Sequence, residues 1–363
     1  MAFVSNYACG VLVGSGIALR QRSYETTALV ALGKKGKMAV LFGQFIFDYG
    51  AALSYLIITA DTSVEVLKRI LGSNFSGMRQ LCLGVLSLAC MLPLSLLRDI
   101  SGLEKYASLS VGVVIIVAVM ILGSLLSEPP TEWNVPVFPL DGWNVFQAVG
   151  IFSFAFVCQD CVFFYYNTLS NGTASRFQNV TSLAISGSAC LTAFVGICGY
   201  LKFQDETEAN VLNNYSAKDT LAVIMRALYV VSMVLTYPIC MFVCRQVLHQ
   251  LWSELIGVDL GDIQKVSSAR HVTYTCVLFF SSVAICMFVD ELGFVMSITG
   301  NVAGSLLGFI IPGLISLSPA VRPGLYNAGT KVLSVDTIGP LLLVAFGSVA
   351  AVLGVVTSIP GMS

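Results

Sequence analysis

Carboxylates occur inside runs of otherwise apolar side chains, and they are the side chains of this sequence best suited to binding or proton transfer. Asp160 lies beside Gln159 in SFAFVCQDCVFFYYN, which covers Ser153–Asn167. A lone carboxylate at membrane depth is costly, so it indicates a functional group whose charge is offset by a ligand, an ion or a proton. At helical spacing, Ser153 and Phe156 share a face with Asp160.

The cluster Cys158-Gln-Asp-Cys161 interrupts this run near its middle. We expect a partly unwound segment here rather than a straight helix, because a break would free backbone groups for a ligand. The two cysteines have the spacing of a redox motif, but at membrane depth and without a βαβ pattern we interpret them as small apolar thiols. The candidate ligand contacts of this segment are Ser153, Phe156, Cys158, Gln159 and Asp160.

A second carboxylate, Asp48, lies in the apolar stretch FGQFIFDYGAALSYLIITADT. At helical spacing it falls near one face with Gln44, Tyr55 and Thr59. Such a stripe lines a substrate or ion path, or it forms interhelical hydrogen bonds that hold the bundle together. Both interpretations stay open for Asp48, and for Tyr55 we favour lining. Asp48 and Asp160 are the candidates for proton coupling.

Oxygen atoms without hydrogen-bond partners are predicted in MVLTYPICMFVCRQ. Pro238 has no backbone N–H, so the carbonyl of Val234 loses its helical partner, and Thr236 adds a hydroxyl nearby. Hard cations prefer oxygen ligands, which makes Val234 and Thr236 candidate ion ligands. Proline kinks in membrane helices are often only structural, and spacing alone favours that interpretation.

Small residues recur at every fourth position of GNVAGSLLG, at Gly300, Gly304 and Gly308. This spacing is typical of a close-packed face between membrane helices. Asn301 beside it is a candidate for lining a cavity or, equally, for bonding one helix to another.

The elements that must position these residues are apolar helices. The 363 residues are 56% hydrophobic and 11% charged, with a mean hydropathy of +0.85, whereas soluble domains carry roughly 25% charged residues. Charge-free windows reach the ~20 residues of a spanning helix, and they are continuous rather than alternating. We predict an all-α polytopic membrane protein, a single transmembrane domain over residues 1–363, with ten spans at about 4–19, 38–60, 80–97, 106–127, 144–167, 177–201, 221–245, 271–289, 292–317 and 337–360.

Other function classes have no support in the sequence. Nothing resembles a nucleotide-binding loop, a metal cluster or a hydrolytic triad, so we expect no enzyme, no bound metal and no cofactor other than a coupling ion such as Na⁺ or H⁺. No basic run suggests nucleic acid. The lipid bilayer is the expected surrounding partner.

Basic residues predict the orientation. Thirteen of the 19 Lys and Arg residues fall on one side of the ten spans and six on the other, which makes the first side cytoplasmic and puts both termini on the opposite side. The sequons at Asn74 and Asn214 then lie outside, where they could be glycosylated, and those at Asn171 and Asn179 do not. Two termini on the non-cytoplasmic side suggest that a span is missing from the front.

Seven stretches, in order across nearly the whole chain, resemble the amino acid/auxin permease family, and within it the sodium-coupled neutral amino acid transporters. They are SYETTALVALGKKGKMAVLFGQFIF, ALSYLIITADT, LPLSLLRDISGLEKYASLS, GIFSFAFVCQDC, GICGYLKF, LTYPICMFVCRQVL and GFIIP.

This resemblance implies an eleven-span fold with the inverted repeat of the leucine-transporter type, in which substrate and ion bind where the first and sixth spans break. The sixth span matches Ser153 to Asp160, and the ion-site threonine of the eighth span matches Thr236. By this resemblance we expect the family's opening span to be missing here, which leaves ten spans of eleven. Where the family often has His and Asn or Ser, this chain has Gln159, Asp160 and Cys161, so Asp160 could attract a cationic substrate, titrate a proton or replace a neutral contact.

The implied function is secondary active transport of amino acids, neutral ones by family, through alternating access coupled to Na⁺ or H⁺. The alternative is a non-transporting member, either an amino-acid sensor or an inactive truncated form, and ion-dependent uptake separates the two. Both the plasma membrane and a vacuolar or lysosomal membrane fit the sequence.

Overall fold

The structure, a computed structural model, describes residues 1–72, 75–98, 104–130, 144–216, 218–258, 267–323 and 335–358, with only the backbone at 104–107, 144, 335 and 336. All regular structure in these ranges is helical. The helices are α1 (Ala2–Ala18), α2 (Tyr24–Leu71), α3 (Met78–Ser95), α4 (Glu104–Ser127), α5 (Asn144–Phe156), α6 (Val162–Thr168), α7 (Ala174–Phe203), α8 (Thr220–Ile256), α9 (Ser268–Phe288), α10 (Leu292–Leu317) and α11 (Val335–Ser358).

Eight helices in the described ranges are long and apolar enough to cross a membrane. They are α2, α3, α4, α7, α8, α9, α10 and α11. The first predicted span corresponds to α1, which is apolar but has 17 residues. The fifth is divided, because α5 ends after 13 residues at Phe156. The all-helical prediction is therefore confirmed, and the inverted repeat remains a prediction.

One helix begins earlier than its predicted span. The expected loop before residue 38 is helical from Tyr24 onward, interrupted at Gly33. Gly33 has φ +74°, a left-handed conformation that glycine adopts without steric cost. The bend lies directly before the basic residues of KKGK, where the chain leaves one helical segment and enters the next.

The contacts of the chain divide it into two compact units. The first consists of Met1–Phe47, Leu140–Ala189 and Met296–Ser363. Its apolar core joins α1 to the broken α5–α6 pair and to α10, through buried side chains such as Leu12, Val162 and Leu307. This unit contains every residue of the predicted break.

Close packing in the first unit depends on the small residues predicted for α10. A Cβ on Gly300 would collide with the carbonyl of Gly150 on α5, and one on Gly308 would lie 2.9 Å from Val157. Two π-helical turns, Gly300–Gly304 and Leu306–Ile310, interrupt α10 at this face. The predicted close-packing face is thus confirmed, and it is packed against the broken helix.

The second unit consists of Asp48–Pro139 and Cys190–Val295. Its core packs α4 against α8, with Val117 and Met225 among the buried side chains. Two arginines of α8 are almost fully buried. Arg226 donates to the carbonyls of Leu212 (2.7 Å) and Tyr215 (2.6 Å).

The second buried arginine, Arg245, is 2% exposed. It donates to the carbonyl of Ser95 at the end of α3 (3.0 Å) and to the Thr275 hydroxyl (2.8 Å). A cation at a helix C-terminus is favourable because it meets the partial negative charge of the unpaired carbonyls there. Each arginine therefore connects α8 to neighbouring backbone within the second unit.

Of the two sequons predicted to be glycosylated, the structure describes the one at Asn214. Asn74 lies outside the described residues. Asn214 is half-buried, its amide donating to the carbonyl of Glu206 (2.6 Å) and accepting from the backbone N–H of Glu208 (2.9 Å). Glycosylation at either position stays a prediction.

Candidate functional site

The helix predicted to be partly unwound is broken. Residues 157–161 between α5 and α6 are non-helical. The α5 bonding pattern ends with the backbone N–H of Val157 donating to Ser153 (3.0 Å), and the next helical bond is from Tyr165 to Cys161 (3.2 Å). The five residues between, Val157–Cys161, are called the break below. The expectation of a discontinuous span is confirmed.

Side chains from α1 and from the break itself satisfy part of the freed backbone. The Ser5 hydroxyl donates to the carbonyl of Phe156 (2.6 Å). The Gln159 amide oxygen accepts from the backbone N–H of Cys158 (3.0 Å), and its nitrogen donates to the Ser5 carbonyl (3.2 Å) and hydroxyl (3.0 Å). Ser5 and Gln159 are both 0% exposed. Buried backbone polar groups need such partners, so this pair stabilises the open backbone of the break.

Ser5 was not among the predicted site residues. It lies in a charge-free run in which no spacing distinguishes it from other small polar residues, and its partner is 154 positions away. Only the packing of α1 against the break brings Ser5 to Gln159.

Asp160 is half-buried and is the fourth of the five residues of the break. Its Oδ2 accepts a bond from the Cys161 thiol (3.1 Å), and its backbone carbonyl accepts from the Gln44 side chain (3.4 Å). Among the residues that the structure describes, this carboxylate makes no salt bridge. A cation or a proton from outside the chain would offset its charge.

The other predicted contacts of this segment lie around the break with different exposure. Ser153 is fully buried, and its hydroxyl donates to the carbonyl of Val149 within α5 (2.7 Å). Phe156 is half-buried and stacks on Phe152. Cys158 is half-buried, with its sulfur 3.5 Å from that of Cys9 on α1.

Asn301 lies elsewhere in the first unit. Its side chain is fully buried, donates to the Ser297 hydroxyl (3.2 Å), and packs against Gly150 of α5 and Gly354 of α11. Its Oδ1 has no hydrogen-bond partner in the described part of the chain. These contacts favour the helix-to-helix interpretation over cavity lining.

The predicted ion ligands lie in the second unit. Helix α8 continues across Pro238. The Thr236 hydroxyl donates to the carbonyl of Ser232 (2.9 Å) and interacts with the hydroxyl of Tyr55, so the structure brings two predicted residues together. Thr236 and Val234 are both half-buried.

Asp48 lies in the same unit and is 5% exposed. It is close enough to Tyr55 and Cys244 to interact with both electrostatically. The polar stripe predicted for this helix therefore faces the interior of the protein. A buried stripe fits both lining of a path and interhelical bonding.

Comparison with protein families identifies the class. The model of the family described as "Transmembrane amino acid transporter protein" matches residues 1–359.

Individual relatives agree. The human protein named "Putative sodium-coupled neutral amino acid transporter 11" is 28% identical over 99% of this chain and 85% of its own length. Its Danio rerio namesake is 32% identical over 86% of this chain and 69% of its own length. "Vacuolar amino acid transporter 2" of Saccharomyces cerevisiae is 27% identical over 87% of this chain and 68% of its own length.

The match covers every helix described above, including both sides of the break. The protein is an integral membrane protein and a transporter-family member rather than an enzyme. The chain belongs to the transmembrane amino acid transporter family.

Proposed function

We propose that this protein carries neutral amino acids across a membrane by alternating access, driven by the co-transport of Na⁺ or H⁺. The observation that carries the proposal is the break in the first unit, where a transmembrane segment opens around a carboxylate with no salt bridge in the described part of the chain. Discontinuous helices are the usual place for substrates and coupling ions in secondary transporters.

The chemistry of the break suits the ammonium group shared by all amino acids. The last carbonyls of α5 carry partial negative charge because they lack intrahelical partners. Among them, the Ser5 hydroxyl donates only to the carbonyl of Phe156. The Asp160 carboxylate adds a full charge beside them. We assign the substrate ammonium to this end of α5, with Cys158 and Phe156 beside it.

The coupling ion is assigned to oxygen atoms of the second unit. The Thr236 hydroxyl and the Val234 carbonyl are hard ligands of the kind that Na⁺ takes. The human and Danio rerio relatives described above carry "sodium-coupled" in their names, which favours Na⁺ for this chain. If H⁺ is the ion, Asp160 and Asp48 are the groups that would carry it.

The name of one relative bears on the membrane in which the protein works. One relative is named a vacuolar transporter, and we propose either a vacuolar or lysosomal membrane or the plasma membrane. The acidic residues Asp205, Glu206 and Glu208 would face the lumen or the outside.

The proposal is tested by uptake into proteoliposomes. Purified protein is reconstituted, and radiolabelled neutral, cationic and anionic amino acids are supplied with an inward Na⁺ gradient, an inward H⁺ gradient or neither. We expect uptake of neutral amino acids that depends on one gradient and is absent from protein-free liposomes. Binding of an amino acid without uptake under any gradient would contradict transport and favour a sensor.

A further inference from the structure

Two cysteine sulfurs meet at the break although their residues are 149 positions apart. Cys9 on α1 and Cys158 in the break have their Sγ atoms 3.5 Å apart. This is a contact distance for two thiols, and a shift of about 1.5 Å would bring them to the ~2.05 Å of a disulfide. The same two elements are tied together by the Ser5–Gln159 hydrogen bonds, so the sulfurs stay near each other.

We propose that Cys9 and Cys158 form an oxidisable dithiol, and that a hydroperoxide converts it into a disulfide that locks α1 to the break. This pair is not the Cys158–Cys161 pair, which has the spacing of a redox motif in the sequence. The Cys161 thiol is directed at the Asp160 carboxylate, 3.1 Å away, and so is not the sulfur that faces Cys158.

The reaction proceeds in two steps. Cys158 is half-buried and Cys9 fully buried, so Cys158 meets the oxidant first. Its sulfur attacks the O–O bond, which breaks to give a sulfenic acid and an alcohol. The Cys9 sulfur then attacks the sulfenic acid, forming the S–S bond and releasing water. Two thiol hydrogens are lost, and the two electrons have passed to the hydroperoxide.

The consequence for activity rests on the proposed function. Alternating access requires helices around the substrate to change their relative positions. A covalent bond between α1 and the break prevents any such change at the end of α5, where we place the substrate. Oxidation should therefore arrest uptake, and a dithiol reductant should restore it.

The test treats the reduced, reconstituted wild-type protein with tert-butyl hydroperoxide. Peptides are analysed by mass spectrometry without reduction, and uptake is measured in parallel before and after dithiothreitol. We expect a Cys9–Cys158 linked peptide, a loss of uptake in proportion to the link, and recovery on reduction. Cys9→Ser should remove both the link and the sensitivity, whereas Cys82→Ser, which changes another buried cysteine, should retain both.

Two kinds of result would overturn the proposal. A Cys158–Cys161 disulfide, or higher oxidation of Cys158 without a link, would show that Cys9 is not the resolving thiol. A complete Cys9–Cys158 link with unchanged uptake would show that the site does not control transport. Because the link is measured on the wild-type chain, it decides the chemistry even if Cys9→Ser fails to fold. Absence of uptake before oxidation would instead count against the proposed function.

Discussion

Gln159 donates to both the backbone carbonyl and the hydroxyl of Ser5, at 3.2 and 3.0 Å, and neither residue is exposed. Through this pair, α1 at the start of the chain provides hydrogen-bond partners for the break. The geometry of the pair supplies hydrogen-bond partners to the Phe156 carbonyl and the Cys158 N–H, where the transmembrane segment is open at Val157–Cys161.

Replacing Gln159 by Ala should destabilise the protein. The change leaves the Cys158 N–H without its acceptor and removes both bonds to Ser5, and an unsatisfied buried group costs about 1–3 kcal/mol. The measurement is thermal or denaturant unfolding of the purified protein in detergent. A double-mutant cycle with Ser5→Ala should give a coupling energy of roughly 0.5–3 kcal/mol; strict additivity would show that the two side chains do not act as a pair.

Replacing Asp160 by Asn should change the substrate preference or the pH dependence of uptake. The substitution keeps the size of the side chain and removes the charge that we assign to the substrate ammonium or to a proton. Uptake is measured across a pH series in proteoliposomes, with Asp205→Asn in an exposed segment as control. An unchanged pH profile and substrate range would reduce the carboxylate to a buried hydrogen-bonding partner.

Replacing Thr236 by Val should raise the Na⁺ concentration that gives half-maximal uptake. Val has nearly the same shape but lacks the hydroxyl oxygen that we assign to the ion. The matched control is Thr273→Val on α9, where the exposed threonine also donates to a carbonyl of its own helix (2.9 Å). Equal Na⁺ dependence in both variants would rule out Thr236 as an ion ligand.

Replacing Gly300 by Ala should lower stability. The added methyl group would collide with the Gly150 carbonyl, and overpacking of this kind costs typically about 1–3 kcal/mol. Gly187→Ala is the control, because a Cβ there meets nothing within 4 Å, and its effect should be neutral or slightly stabilising. Similar unfolding temperatures for the two variants would contradict the close contact between α5 and α10.

The Asn214 sequon tests the predicted orientation. If its loop is luminal or external, the protein expressed in a eukaryotic host should carry a glycan there. We expect an endoglycosidase-sensitive shift on gels that decreases with Asn214→Gln and is unaffected by Asn171→Gln. A glycan at Asn171 would reverse the orientation.

Local chemistry made part of this site predictable. A carboxylate and an amide within an apolar run indicated a broken helix, and glycines four apart indicated a close-packed face, because both patterns act over a few residues of one helix. The contact of Tyr55 with Thr236 also joins two polar stretches that were each predicted from the sequence.

Pairings across long separations were not predictable in this way. Ser5 with Gln159 and Cys9 with Cys158 are determined by how α1 packs, and no spacing in the sequence encodes it. The burial of Arg226 and Arg245 was equally hidden. The sequence marks them only as charges at the ends of a span. The bond of Arg245 to the carbonyl of Ser95 depends on a helix 150 positions away, and that of Arg226 to the carbonyl of Leu212 depends on how the segment before α8 folds back.

The central claim, that the break binds the amino acid, is tested most directly by substrate protection of Cys158. Reduced, reconstituted protein is labelled with iodoacetamide, and modification of each cysteine is followed by mass spectrometry with and without a saturating amino acid identified in the uptake screen. The account predicts that the amino acid slows labelling of Cys158 and leaves that of the exposed Cys190 unchanged. Equal labelling of Cys158 with and without an amino acid that the protein transports would contradict it.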